Sequence, residues 1–206
     1  MAFDVNKAKR LQEALKKKVK LEDCFEEIKE VGGLDVSYKG NIGVSVLTVM
    51  NYSEKKVKSI YYVKGEVPIP YRPGFLAFRE APLHLTLLSE FKPDVTLVDG
   101  HGIAHPRGLG IASHVGVVMD VPTIGVAKKR LYGKESSCGK PCLVDEEGRP
   151  IAYIIQRGRS KLYVSPGHCV SLDSAYEIVR NLLLRGKLPE PIRISDKVSR
   201  LLARGQ

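Results

Sequence analysis

Three acids and one lysine stand where this chain could do chemistry. Asp99 closes the run Val95-Thr96-Leu97-Val98, whose β-branched apolar residues predict a buried strand delivering an acid at its C-terminal end. A second apolar run, Thr123 to Val126, predicts a strand that ends just before Lys128-Lys129-Arg130. Asp35 is the second residue of a strand-like run from Leu34 to Tyr38, and Glu80 lies in a helically periodic segment from Phe75 to Phe91. An acid and a lysine at the ends of neighbouring parallel strands suit phosphate chemistry better than packing, because open α/β sheets bind ligands at that edge. Each acid also has an ordinary reading: a strand acid faces solvent at a sheet edge, and an acid near a helix start offsets the macrodipole. Brought together, the three carboxylates repel one another, and a hard divalent cation relieves that repulsion while leaving coordination positions for water and phosphate oxygens. Mg²⁺ is the expected filler, with Mn²⁺ able to substitute. One ion lowers the pKa of an attacking water, and a second about 4 Å away stabilises the leaving oxygen.

The elements that must position these residues follow from periodicity. Val5 to Glu30 carries Ala8, Leu11, Ala14, Leu15, Val19, Leu21 and Phe25 at three- and four-residue intervals, which predicts one or two amphipathic helices ended by Gly32-Gly33. Leu34–Tyr38, Ile42–Met50 and Val57–Lys64 read as a three-stranded antiparallel meander, turned by Lys39-Gly40-Asn41 and by Asn51 to Glu54. Pro68, Pro70 and Pro73 stiffen a loop around Tyr71, so its ring is either packed beneath that loop or held ready to stack on or wedge between bases. Pro82 kinks the Phe75–Phe91 helix or marks its true first turn. A glycine-rich loop with His101, His105 and Arg107 leads from Asp99 into a predicted helix, Ile111–Met119. Ile151–Gln156 and Leu162–Val164 read as strands joined by a solvated tip at Arg157 to Lys161. This order predicts an α/β fold of the ribonuclease-H-like kind, a mixed sheet flanked by helices, in which acids from the first strand, first helix and fourth strand converge.

With 206 residues, 43% of them hydrophobic, the chain suffices for one domain spanning 1–206. No apolar run reaches the roughly 18 residues that span a bilayer, and Met1-Ala2-Phe3-Asp4 does not open an apolar signal core. A cytoplasmic, membrane-free, monomeric protein is expected. Cys24, Cys138, Cys142 and Cys169 are scattered and read as buried or free thiols, since one C-x3-C pair without further ligands is a poor zinc site. The net charge of +10, from 33 Lys and Arg against 23 Asp and Glu, favours a polyanionic partner through counterion release. A merely solvated basic surface is the alternative, and the lysines clustered between Lys7 and Lys20 fit either.

The segments GGLDVSYKG, IPYRPGFLAFREAP, LVDGHGIAHPRGLGIASHVGV, PTIGVAKKRL, YVSPGHCVSL and LPEPIRISD closely resemble the endonuclease V family, the deoxyinosine 3′ endonucleases of DNA repair. The likeness runs from about Gly32 to Asp196. It implies that Asp35 and Asp99 bind Mg²⁺, that Glu80 completes the carboxylate set, and that Lys128 lies near the scissile phosphate. It implies further that Tyr71 is the wedge entering the duplex; the extruded base is then expected in a pocket formed by the Gly-rich loops, with Pro73, Gly74, Gly102 and His105 as the substrate-binding residues beside Tyr71. Cleavage at the second bond 3′ to the lesion, leaving 3′-OH and 5′-phosphate, is implied too, on DNA containing deoxyinosine and with inosine-containing RNA as a second candidate. Asp196 stands where some members carry a histidine. Two other classes weigh against this one: a non-catalytic nucleic-acid binder, which has no need of an acid trio, and a junction resolvase, which would need a symmetric dimer.

Overall fold

Alternating and fully apolar runs between residues 30 and 66 form three long antiparallel strands, β1 (Glu30–Lys39), β2 (Ile42–Asn51) and β3 (Lys56–Glu66). The computed structural model describes residues 3–67 and 69–205, so Pro68 of the stiffened loop lies outside the described residues, as do Met1, Ala2 and Gln206. β1 pairs in parallel with β4 (Val95–Asp99), and β4 in parallel with β5 (Thr123–Ala127). Beyond β5 the sheet continues antiparallel through β9 (Ser160–His168), β8 (Pro150–Arg157), β7 (Pro141–Val144) and β6 (Lys134–Ser137), giving the order β3-β2-β1-β4-β5-β9-β8-β7-β6. The helices are α1 (Val5–Lys16), α2 (Leu76–Glu90), α3 (Ile111–Met119), α4 (Leu172–Asn181) and α5 (Glu190–Arg204).

Strands buried on both faces must be apolar throughout, which is why β4 and β5 read as continuous runs. On one face, Leu34, Leu47 and Val98 pack with Leu87 and Leu88 of α2 and with Ile111 and Val115 of α3. On the other, Leu97, Ile124 and Val126 pack with Ile178 and Val179 of α4 and Ile192 of α5. This is the ribonuclease-H-like mixed sheet expected from the element order. Among the described residues no helix is long and apolar enough to cross a membrane.

Several expectations are corrected. The helical reading of Val5 to Glu30 holds only to Lys16. Beyond it Lys20 accepts from the Cys169 amide at 2.8 Å and Cys24 donates to the Cys169 carbonyl at 3.2 Å, so this segment lies along the end of β9 instead of continuing the helix. Gly32 and Gly33 do not stop a helix; both are inside β1. A Cβ at Gly33 would come within 2.4 Å of the Pro191 carbonyl carbon, so glycine here lets α5 lie directly on the strand. Pro82 sits inside α2. The cysteines are not free thiols: Cys24 pairs with Cys169 across 145 residues, and Cys138 pairs with Cys142 in the β6–β7 hairpin.

Candidate active site

The parallel registers place the acids. Leu34 is level with Val98, so Asp35 and Asp99, one residue further on each strand, come side by side at the C-terminal edge. Asp99 is level with Val126, and Lys128 just beyond β5 reaches back to put its Nζ 2.8 Å from Asp99 Oδ2. α5 closes the group from the far end of the chain. Ser199 Oγ donates to Asp35 Oδ2 at 3.1 Å and lies 2.8 Å from Ser37 Oγ, so the Asp35 carboxylate is held in one orientation. Asp196, bonded to Arg200, adds its negative charge. Glu80 is buried in α2 and accepts from Tyr38 OH at 3.0 Å, while the Arg79 guanidinium lies 4.2 Å over the Tyr38 ring and donates to the Ile69 carbonyl at 2.6 Å.

The electrostatics follow from that crowding. Burial first, then Asp99 and Asp196 beside it, push Asp35 up to about 8. Burial likewise pushes Glu80 up to about 8, against the opposing Tyr38 bond, with Asp99 adding to the rise. Burial alone would lower Lys128, but Asp99, Asp35 and Asp196 hold it above the usual lysine range. One ammonium does not balance this much buried carboxylate, and an oxygen-rich, under-neutralised pair fits a hard divalent cation. Asp35 and Asp99 are the residues that would hold it. Asp35, Asp99 and Glu80 do not all approach within 4.8 Å; among the described residues the group that does is Asp120, His168 and Cys169. That group makes a poor cation site, because Cys169 is bonded to Cys24 and both His168 nitrogens are engaged. Nδ1 accepts from the Lys20 amide at 3.2 Å, and Nε2 therefore carries the proton shared with Asp120 at 3.0 Å.

A carboxyl raised on folding contributes stability below its unfolded pKa and loses it as pH climbs to its folded pKa. For Asp35 that window runs from about 4 to about 8. Mg²⁺ should therefore raise the Tm more at pH 8 than at pH 5, and the increment should vanish in Asp35→Asn. Equal increments at both pH values, or one surviving in Asp35→Asn, would take the cation away from this pair.

At His101 and Lys129, which follow closely in the chain on Asp99 and Lys128, opens a cleft of about 240 Å³. Tyr71, 62% exposed, stands at it with its ring presented and not packed beneath its own loop. Gly74, Leu76 and Ala77 at the start of α2 and Gly110 and Ile111 at the start of α3 form its walls, and neither helix has a side-chain cap. Within those first turns the Gly110 and Ala112 amides already donate to the Gly102 and His101 carbonyls and the Phe78 amide to Phe75, which leaves the Leu76, Ala77 and Ile111 amides at the wall without a backbone acceptor among the described residues. Gly74 has φ +80°, a conformation that favours glycine, and its carbonyl accepts from Gln12 Nε2 at 3.0 Å, His105 Nε2 at 2.9 Å and Arg107 Nη2 at 2.7 Å. Because the Arg107 amide donates to His105 Nδ1 at 3.1 Å, the proton is on Nε2, and burial lowers this histidine to about 4, keeping it neutral. His105 and Gly74 are therefore at the cleft, whereas Pro73 and Gly102 are not among its lining residues. Gly102 lies behind the wall: its amide donates to Ser165 Oγ at 2.8 Å, its carbonyl accepts from the Gly110 amide at 2.9 Å, and a Cβ would meet the Pro166 carbonyl oxygen at 1.9 Å.

Gln12, Tyr38, Arg79 and Ser199 were not legible as site residues. Each acts through contacts with another segment of the chain, Gln12 with Gly74 and Arg107, Tyr38 with Glu80, Arg79 with Tyr38 and Ser199 with Asp35 and Ser37, and Gln12, buried on a mostly solvated basic helix, is the one whose polarity sits oddly with its position.

The sequence model of the endonuclease V family matches residues 13–197. The chain is 60% identical over 208 residues to an endonuclease V of Ignicoccus hospitalis, covering 99% of this chain and 98% of that protein. Among solved structures, human ENDOV superposes with a TM-score of 0.88 at 32% identity, covering 98% of this chain and 99% of the other. Ciona intestinalis endonuclease V, solved in complex with a 24mer DNA containing an inosine followed by a ribo-adenosine, superposes with a TM-score of 0.87 at 30% identity, covering 98% of each chain.

Proposed function

The chain belongs to the endonuclease V family of metal-dependent, DNA-cleaving nucleases, and on that premise we propose that it nicks DNA at the second phosphodiester bond 3′ to a deoxyinosine, leaving 3′-OH and 5′-phosphate. Residues 1–206 act as one endonuclease domain. The observation that carries this reading is the cleft walled by the starts of α2 and α3, whose lining residues His101 and Lys129 follow closely in the chain on Asp99 and Lys128. Hypoxanthine differs from adenine in presenting a carbonyl oxygen where adenine has an amine. An amide left free at those helix starts would donate to the oxygen and meet the amine with an unpaired donor, which is the costlier kind of mismatch. Reading that edge requires the base to leave the stack, at a cost of a few kcal/mol that is smaller for a poorly paired base.

Asp35 and Asp99 would hold Mg²⁺, which when bound supplies a more acidic water and offsets charge on the phosphate. Ser199 fixes the orientation of Asp35, and Tyr38 fixes Glu80. Lys128, oriented by Asp99, places a positive charge for the non-bridging oxygens. Lys129 and Arg130 at the cleft extend that charge along the strand. The test is nicking of matched oligonucleotides differing in one inosine, as DNA and as RNA, with and without EDTA. Absence of inosine-dependent, EDTA-sensitive cleavage would refute the assignment.

Tyr71 is proposed as the wedge that fills the gap left by the extruded base. Tyr71→Ala should weaken inosine-specific binding and cleavage of a duplex by about tenfold or more, while Tyr71→Phe keeps the ring and stays close to the parent. The Ala defect should shrink on single-stranded substrate, where nothing has to be held apart. Equal loss on both substrates would point to base stacking or loop folding instead.

A further inference from the structure

Beyond the cleft at Tyr71 lies a larger one of about 540 Å³, on the other side of the wall formed by His105, which borders both. Two stretches of chain pass the acids and both clefts in the same order. In the β4–α3 loop, Asp99 stands at the acid pair, His101 at the smaller cleft and Ile103, Pro106 and Gly108 at the larger, before Leu109 to Ile111 return to the smaller. After β5, Lys128 meets Asp99, Lys129 to Leu131 line the smaller cleft, and Tyr132 lines the larger. The acids, the smaller cleft and the larger cleft therefore lie in series, with the larger on the side away from the acids.

Resting on the reading above, in which the scissile bond is 3′ to an inosine seated in the smaller cleft, we infer that the larger cleft is a subsite for the nucleobase immediately 5′ of the lesion. Its apolar lining comes from Leu21, which is 51% exposed, with Ile103, Pro106, Tyr132 and Ile151. Its rim is the β7–β8 turn, where Asp145, Glu146 and Glu147 outnumber Arg149, already bonded to Asp145 at 2.8 Å and Glu147 at 3.0 Å, and Lys16 of α1 is the other cation on the lining. With three acids against two cations, this cleft is a poorer phosphate site than the Lys129–Arg130 stretch of the smaller one. It suits the opposite end of a nucleotide, because carboxylates accept from exocyclic amines and sugar hydroxyls while an apolar, aromatic lining takes the face of a base. The phosphates stay over Lys129 and Arg130, and the base turns inward. Tyr132 is half-buried against the cluster that holds Leu143 and Ile151, so its ring is already ordered and stacking costs little further entropy.

The test compares single-turnover cleavage of two single-stranded oligonucleotides of equal length, one with a normal nucleotide 5′ of the inosine and one with an abasic residue there. Both supply the same phosphates, so their rate ratio reports the base alone. The parent protein should prefer the normal nucleotide by about tenfold, Tyr132→Phe should keep that ratio, and Tyr132→Ala should bring it near one. A ratio near one in the parent, or one unchanged in Tyr132→Ala, overturns the subsite. A second measurement needs no variant: 2-aminopurine placed directly 5′ of the inosine should change its fluorescence on binding the parent protein, and the same probe several nucleotides further 5′ should not. Identical responses at the two positions overturn the subsite as well. Failure of the parent to cleave any inosine-containing oligonucleotide is a different result, which removes the lesion reading itself and the subsite with it.

Discussion

Asp99→Asn should reduce nicking of an inosine-containing duplex to below about one thousandth of the parent rate while leaving DNA binding largely intact. The change keeps the size and shape of the side chain and removes its charge. That charge does three things here: it makes the anionic pair with Asp35, it raises the pKa of both Asp35 and Glu80, and it anchors the Lys128 ammonium 2.8 Å away. Neutralising it weakens the cation site and frees Lys128 at once. The basic surface that supplies sequence-independent affinity is untouched, because Lys129, Arg130 and the α1 lysines do not depend on Asp99. Binding measured in Ca²⁺ separates the two effects, and tighter binding than the parent is an acceptable result since one negative charge has gone. Full activity of Asp99→Asn at ordinary Mg²⁺ would end the assignment of this centre.

Lys128→Ala should slow single-turnover cleavage by about two orders of magnitude, corresponding to roughly 3 kcal/mol of barrier from one preorganised charge. The lysine is oriented before substrate arrives, because Asp99 holds its Nζ, so its contribution is made where charge develops and not merely where the strand binds. Its loss should therefore appear in the rate at saturating DNA. A defect confined to affinity would reassign Lys128 to the backbone-binding group with Lys129 and Arg130. Lys128→Arg is a poor rescue, because a planar fork cannot place a compact charge at the same point.

Much of this site was legible because it is built from local patterns. Val95–Val98 and Thr123–Val126 announce buried strands by composition, and a strand's end is where its last residue points out of the sheet, so Asp99 and Lys128 could be placed without knowing the fold. Asp35 and Glu80 could be placed on a strand and a helix for the same reason, and the motifs gave the family before any geometry. The prolines around Tyr71 also act locally, on φ, so a presented ring was foreseeable.

What the chain's own order did not contain is who meets whom across it. Gly32-Gly33 looks like a helix stop, yet the missing side chain of Gly33 serves α5, which arrives from about 160 residues later, and that of Gly32 makes room for Pro93, Leu47 and Thr96; nothing in the local pattern names those neighbours. Ser199 and Asp196 enter the site only because α5 packs on β1, and Gln12 matters only because α1 comes to rest against Gly74 and Arg107. Cys24 and Cys169 read as thiols for the same reason, since pairing across 145 residues depends on an approach that spacing cannot report, whereas the Cys138–Cys142 pair lies within one hairpin. The carboxyl pKa values belong to this class too, because burial and like charge act through space. Sequence by itself determined the types of most elements between β1 and β5, the family and the candidate reactive groups, since each rests on a residue's own side chain and near neighbours. Tertiary structure alone decided their orientation, their protonation and the second cleft, since those arise where segments remote in the chain close on one another.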